Sequence, residues 1–452
     1  MKRVIKLLGL LMALGLMSVL LCCCASGEGS QTTSLDMMIT NGTAVLENQQ
    51  STVSSALDVM AYQNQMAVAG ISGNTLSFSA DKFMCAMNLS EIESITITSL
   101  PDMSCGTLYI GSDAVSVGQK ISSSDISLMT YEEAKGGEGK KASFELCVND
   151  NAYDIICNIY MLDSVNYSPT VKMASYVSLN NETYKDIKTS GVLFAHDPEG
   201  DELTYEIVSY TEHGIVSLDD RALGIYTYTP FSSYTGSDSF EYVVRDKYGN
   251  YSASAKVTIE VSAQKTATVY SDMLESDLYC HALAVTESGL MNGVQVGNYF
   301  YFEAGREVTR AELVVTAMNA IGIKSVPDVA TTGFADDADI NPAMKGYIAL
   351  AYSKGYISGI KQNGEIYFKP NETVTLSEAA VIISNMIGYA KPDITPTFAD
   401  SDSIPSWSNA AIESLYTLGV LEFPDMTVDA GATVTRGDMA KLLNKTMQVI
   451  GK

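Results

Sequence analysis

Histidine is almost missing from this chain. His196, His213 and His281 are the only three, and none sits in a His-Glu-x-x-His pair. Gly-x-Ser-x-Gly and Gly-x-x-x-x-Gly-Lys are missing too, so the common zinc-hydrolase, serine-hydrolase and phosphate-loop chemistries lose their local signatures. Cations are scarce: 28 Lys and Arg stand against 53 Asp and Glu, a formal charge of -25. A phosphate-binding surface needs the opposite balance, which argues against nucleic acid as a partner. Beyond the cluster Cys22, Cys23 and Cys24, the cysteines at 85, 105, 147, 157 and 280 show no Cys-x-x-Cys spacing, so a thiolate zinc site is not expected and no disulfide pairs are assigned. Charged residues make up only 18% of the chain and hydrophobic ones 46%, too apolar for a disordered acidic tail. At roughly 150 residues per domain, the length suits about three domains.

The N-terminus reads as an export signal. Lys2, Arg3 and Lys6 precede an apolar run over residues 7–21, followed by small residues at Ala25, Ser26 and Gly27. The run falls short of the roughly 20 residues that span a bilayer, so a signal peptide over 1–25 and no membrane span after its removal are expected. The three adjacent cysteines occupy the place of a lipidated residue but lack the small residue that such a site prefers before it.

Three aromatic-x-Asp triplets, Tyr270-Ser271-Asp272, Phe334-Ala335-Asp336 and Phe398-Ala399-Asp400, follow one another at 64-residue intervals. Each precedes a helical apolar pattern, then a glycine (Gly289, Gly355, Gly419), then a Thr-led tetrad. The tetrads are Thr309-Arg310-Ala311-Glu312, Thr375-Leu376-Ser377-Glu378 and Thr435-Arg436-Gly437-Asp438. Thr with Glu three residues on forms a capping box, and glycine after an apolar helical run suits a left-handed C-terminal cap. The first two tetrads fit the box directly; Asp438 is the poorer partner. Helix-loop-helix units over 264–326, 327–390 and 391–452 follow. A guanidinium at a helix N-terminus, beside unpaired amides, suits an anion.

These residues resemble the S-layer homology repeats that attach exported bacterial proteins to the cell wall. The resemblance covers residues 270–450 and also rests on Trp407 and the Gly289-Leu290-Met291-Asn292-Gly293 and Gly355-Tyr356-Ile357-Ser358-Gly359 turns. It implies an all-α, pseudo-threefold bundle whose grooves bind a secondary cell-wall polysaccharide, often pyruvylated, without catalysis. On that resemblance Arg310, Glu312, Trp407, Arg436 and Asp438 are expected to meet the polymer. Leu376 stands where the second repeat should carry arginine, so its groove is expected to be deficient unless Lys369 substitutes. In repeat three, Phe423 replaces the second turn glycine.

Between leader and repeats, apolar and polar residues alternate with strand periodicity across 203–210 and 239–244. Phe144-Glu145-Leu146-Cys147-Val148-Asn149-Asp150 matches Phe240-Glu241-Tyr242-Val243-Val244-Arg245-Asp246, and Gly106-Thr107-Leu108 matches Gly214-Ile215-Val216. Two tandem sandwiches over 36–165 and 166–262 are expected, with 111–121 as an added hairpin in the first. Residues 41–87 are open to helix or strand. Residues 166–262 resemble bacterial cadherin-like, immunoglobulin-like modules through Asp197-Pro198-Glu199-Gly200-Asp201, Tyr228-Thr229-Pro230 and Gly236-Ser237-Asp238-Ser239-Phe240. That resemblance implies calcium at Asp197, Glu199 and Asp201 with Asp246 nearby, where an ordinary polar turn is the alternative.

The expected protein is multidomain and non-enzymatic: tandem all-β sandwiches, then an all-α repeat bundle holding it at the cell wall or S-layer surface. The other reading is an adhesin or calcium-binding recognition protein whose sandwiches meet an unknown surface protein or glycan, the repeats being its address.

Overall fold

Strand alternation places Phe144, Leu146 and Val148 on one face of Ala142–Val148, and Phe240, Tyr242 and Val244 on one face of Gly236–Asp246. Each trio is the centre of a sandwich core. The computed structural model describes residues 65–87, 89–136, 141–149, 155–171, 180–390 and 395–451. All fall within one compact unit, Val59–Lys452. The leader 1–25 and Cys22, Cys23 and Cys24 lie outside the described residues.

The first sandwich pairs a five-stranded sheet, in the order Gln65–Ile71, Ile155–Leu162, Ala142–Val148, Ser94–Ser99 and Lys120–Ser122, with a four-stranded one, Leu76–Ser77, Met129–Glu133, Gly106–Ile110 and Asp113–Ala114. The second has Asn180–Tyr184, Ala255–Ser262, Gly236–Asp246 and Leu203–Ser209 against Thr189–Val192, Ile225–Pro230 and Gly214–Asp220. In both, the first strand among the described residues runs parallel to the last. The open stretch 41–87 is strand at Gln65–Ile71 and helix at Ala80–Met87. Residues 111–121 are not a simple added hairpin: Asp113–Ala114 folds back on its own sheet, while Lys120–Ser122 crosses to pair with Ser94–Ser99 in the other.

The matched glycines have one physical cause. A Cβ on Gly106 would lie 2.4 Å from the Tyr131 hydroxyl, and one on Gly214 would lie 2.3 Å from the Tyr228 ring. In each sandwich a tyrosine of the neighbouring strand covers that bare backbone position.

The C-terminal repeats are mixed rather than all-α. Between the helices of the first repeat lies the hairpin Val294–Val296/Tyr299–Tyr301, and in the second Ile360–Gln362/Glu365–Tyr367. Gly289, Gly355 and Gly419 take φ of 71°, 75° and 68°, the left-handed caps expected of them. The three repeats then close on one another through a ring of backbone bonds. Val308 N–H donates to Val434 at 3.0 Å, Val434 to Val374 at 2.9 Å, and Val374 to Val308 at 3.1 Å. An all-helical unit has no free backbone to lend its neighbour, so the extended residue before each tetrad is what makes a threefold closure possible.

The bundle also covers one side of the second sandwich. Asn180–Tyr184 and Thr189–Val192 are end strands of their sheets, and Ile187, in the turn between them, belongs to the bundle's hydrophobic core. Covering an open strand edge removes a template for unwanted pairing.

Candidate functional site: the repeat seams and an acidic loop

Each aromatic-x-Asp triplet has a structural task that spacing alone did not reveal. Asp272 accepts the amides of Phe302 and Glu303 at 2.9 and 2.8 Å, Asp336 those of Phe368 and Lys369 at 2.8 and 2.6 Å, and Asp400 those of Val428 and Asp429 at 2.9 Å each. The second residue of each pair has positive φ, so the carboxylate clamps a strained turn just ahead of the tetrad. All three tetrads form capping boxes, the third included, because Asp438 reaches the Thr435 amide at 3.0 Å.

The amides expected to be free for an anion are occupied. Arg310 N–H donates to Glu372 O at 3.0 Å and Ala311 N–H to Pro370 O at 3.2 Å. Leu376 and Ser377 donate to Ala432 and Ala430, and Arg436 and Gly437 to Arg306 and Ala304. Each helix N-terminus is thus capped by the next repeat's turn, which is the price of the ring closure. Two of the guanidiniums are spent in the same way. Arg310 is 7% exposed, donates from Nε to Phe368 O at 3.1 Å, pairs with Glu378 at 2.9 Å and stacks on Phe368. Arg436 donates from Nε to Phe302 O and from a terminal nitrogen to Asn292 O, both at 2.9 Å, over the Phe302 ring. Glu312 caps its helix and pairs with Arg306 at 2.8 Å; burial would raise its carboxyl, but Arg306 and the Thr309 amide outweigh that and hold it below the usual range.

The third seam differs because Leu376 cannot reach as far. Where the other seams hold a guanidinium, this one opens into a cavity of about 250 Å³, lined by Leu376, Glu422, Phe423, Thr433, Asp438 and Lys441 among others. Glu422 occupies the place in its turn that Asn292, the acceptor for Arg436, holds in the first repeat. Lys369 is not the substitute: it pairs with Glu372 at 2.7 Å. Lys441 lines the cavity instead, 2.7 Å from Glu422. Burial would raise the Glu422 carboxyl, yet Lys445 and Lys441 overcome it and hold the pKa at about 2. Phe423, in place of a turn glycine, fills the turn against Phe398 and Tyr416. Of the five residues expected to meet the polymer, Asp438 alone lines this cavity. Trp407 stands 59% exposed near the start of Ser406–Thr417.

The acidic loop assembles as a second site. Carboxylate oxygens of Asp197, Asp201 and Asp246 lie within 4.8 Å of one another. Glu199 is not among them; it accepts the Tyr167 amide at 3.1 Å. Asp197 is 5% exposed and Asp246 fully buried. Asp197 Oδ1 accepts the amides of Glu199 and Asp201 at 3.0 Å each, and Asp246 accepts those of Tyr248 and Asn250. Asp197 Oδ2 and Asp201 Oδ2 are buried without a hydrogen-bond partner. Two bare anionic oxygens beside a third carboxylate are costly unless a hard cation sits between them, so the residues fit calcium.

Residues 166–263 match the family model described as bacterial cadherin-like domain, and residues 334–380 and 397–440 match the S-layer homology domain. The chain is 27% identical over 151 residues to the Surface-layer 125 kDa protein of Lysinibacillus sphaericus, covering 30% of this chain and 12% of that protein. It is 23% identical over 189 residues to the Middle cell wall protein of Brevibacillus brevis, covering 42% and 16%. A solved structure of Drosophila N-cadherin EC1-3 matches 40% of this chain and 57% of its own at 13% identity, with a TM-score of 0.20, too low to carry an argument. The chain therefore spans well under a fifth of the length of these two layer and wall proteins. The matched domains place it at the cell wall or S-layer surface. Among the described residues no helix is long and apolar enough to cross a membrane.

Proposed function

We propose, for a chain that carries S-layer homology repeats beside a bacterial cadherin-like domain, that the repeats hold a secondary cell-wall polysaccharide and the sandwiches are displayed from it without catalysis. The observation that carries this reading is the cavity at Leu376. Its mixture of apolar faces with Asp438, Glu422 and Lys441 suits a sugar ring, whose C–H face packs on Leu376 and Phe423 while its hydroxyls donate to the carboxylates. Lys441 offers the charge for an acidic substituent such as a pyruvyl ketal. Trp407 supplies an exposed stacking face. Arg436, with Glu312 near it, is a weaker candidate, and Arg310 is assigned to holding repeats one and two together. Titrating purified wall polymer into the full chain and into Lys441→Gln tests this: binding that weakens severalfold supports the cavity, and unchanged binding removes it.

A second role rests on the acidic loop. Asp197, Asp201 and Asp246 would hold calcium, which supplies positive charge to the two buried oxygens, Asp197 Oδ2 and Asp201 Oδ2, that have no hydrogen-bond partner. Addition of calcium to the full chain should raise its melting temperature by mass action. A melting curve indifferent to both calcium and chelator would leave the loop as a polar turn.

A further inference from the structure

The acidic loop already contains one cation. Lys247 reaches back from the residue after Asp246, and its Nζ lies 3.0 Å from Asp201 Oδ1 with its side chain 42% exposed. It also sits 4.9 Å from the centre of the Tyr248 ring, so the stem is guided rather than free. The distribution of partners over the three carboxylates is uneven. Both oxygens of Asp246 are engaged, Oδ1 by two amides and Oδ2 by Asn166 and Asn250 at 2.6 and 3.1 Å. Asp197 has one oxygen engaged and one bare. Asp201 has Oδ1 on the ammonium and Oδ2 bare.

Three carboxylates and one ammonium leave a net charge of two negatives, which a single divalent cation neutralises. The two bare oxygens are free to take it, while Lys247 keeps Asp201 Oδ1 from offering a second ligand atom. We infer that Lys247 is a built-in counter-ion of this site: it holds the carboxylates together when no metal is bound and weakens the metal's affinity when one is. The inference rests on the calcium reading above.

The two effects have one electrostatic origin. A positive charge beside Asp201 relieves repulsion among the carboxylates and equally repels an incoming cation. Because the ammonium is partly exposed, solvent screens it and the effect on affinity is modest, about three- to tenfold, and shrinks with added salt. The site also lies where the sandwiches meet. Asn166, on the segment that joins them, donates to Asp246, and a Cβ on Gly249, in the same loop, would strike the Ala67 carbonyl of the first sandwich. A stand-in cation therefore keeps that contact formed in a medium poor in divalent ions.

The test is calorimetric titration of calcium chloride into the full chain as wild type, Lys247→Met, Lys247→Arg and the double variant Asp197→Asn/Asp201→Asn, with melting curves in chelator. Lys247→Met should bind calcium about three- to tenfold more tightly than wild type, melt lower in chelator and gain more from calcium. Lys247→Arg should behave as wild type, and the double variant should not bind. If wild type and Lys247→Met bind equally, the counter-ion assignment is overturned while the calcium reading stands. If no variant binds calcium, including Lys247→Met, the calcium reading itself fails and takes this inference with it.

Discussion

Lys445, near the end of the last helix, donates to the side-chain carbonyl of Asn181 on an edge strand of the second sandwich at 2.7 Å, across 264 residues of chain. Lys445 is 7% exposed and also lies 3.3 Å from Glu422, while Asn181 donates onward to the Tyr226 hydroxyl at 2.5 Å. A single lysine thus links the sandwich interior to the acid that lines the repeat cavity.

Lys445→Met should leave the Asn181 carbonyl unpaired and Glu422 with one lysine instead of two. A buried acceptor without a donor costs about 1–3 kcal/mol. In calorimetry the wild-type second sandwich and repeats should melt together, and the variant should melt lower, with the transition broadened or split. A variant that melts like the parent would show that the seam contributes nothing to stability.

The same seam makes the protein sensitive to acid. His281 Nδ1 accepts from the Asn444 side-chain amide at 2.9 Å, and burial, with Lys445 and Lys441, pushes its pKa from 6.5 down to about 3. Between those values the unfolded chain binds a proton that the folded one refuses, so this contribution is complete above about pH 6.5 and lost as pH falls towards 3. Glu422, held at about 2 against 4.5 unfolded, adds loss in the same direction below about pH 4.5. At pH 4.5 the histidine alone should cost about 2–3 kcal/mol relative to pH 7. Denaturant melts at both pH values, on wild type and His281→Gln, measure it: the variant should lose less stability on acidification, and equal losses would remove His281 as the cause.

Arg310→Ala should act on folding. It strips partners from the Phe368 carbonyl and Glu378 at the seam of repeats one and two, a loss of about 3–5 kcal/mol for a buried ion pair broken on one side. Polymer affinity, measured on the fraction that remains folded, should be unchanged. A stable Arg310→Ala protein that no longer binds would return this arginine to the ligand site.

What was legible in the sequence was local. The capping threonines, the left-handed glycines and the alternating strands each depend on residues within one turn or one strand. The matched motifs around Phe144 and Phe240, and around Gly106 and Gly214, marked two equivalent sandwiches for the same reason. The ring through Val308, Val374 and Val434 was hidden because its partners lie in different repeats, and the hairpins that make the repeats mixed rather than all-α were too short to show periodicity. The free amides expected at the tetrads failed because the neighbouring turns consume them. Asp272, Asp336 and Asp400 were visible as a repeat, but their clamp on residues about thirty positions downstream was not. Leu376 was legible as a departure from the arginine of the other tetrads, but the cavity it leaves at the third seam was not, because its walls come from two repeats.

Leu376→Arg tests that point most directly, because it restores at the third seam the side chain that fills the other two. The new guanidinium would lie among Glu422 and Asp438, where carboxylates welcome it, so the fold should persist or gain stability. The measurement is isothermal titration of purified wall polymer into the full chain and into this variant, after matching their melting curves. If the cavity at Leu376 is the polymer site, the variant should bind at least tenfold more weakly. Affinity equal to or above that of the parent would contradict the account and place the polymer at the arginine-filled seams or on Trp407.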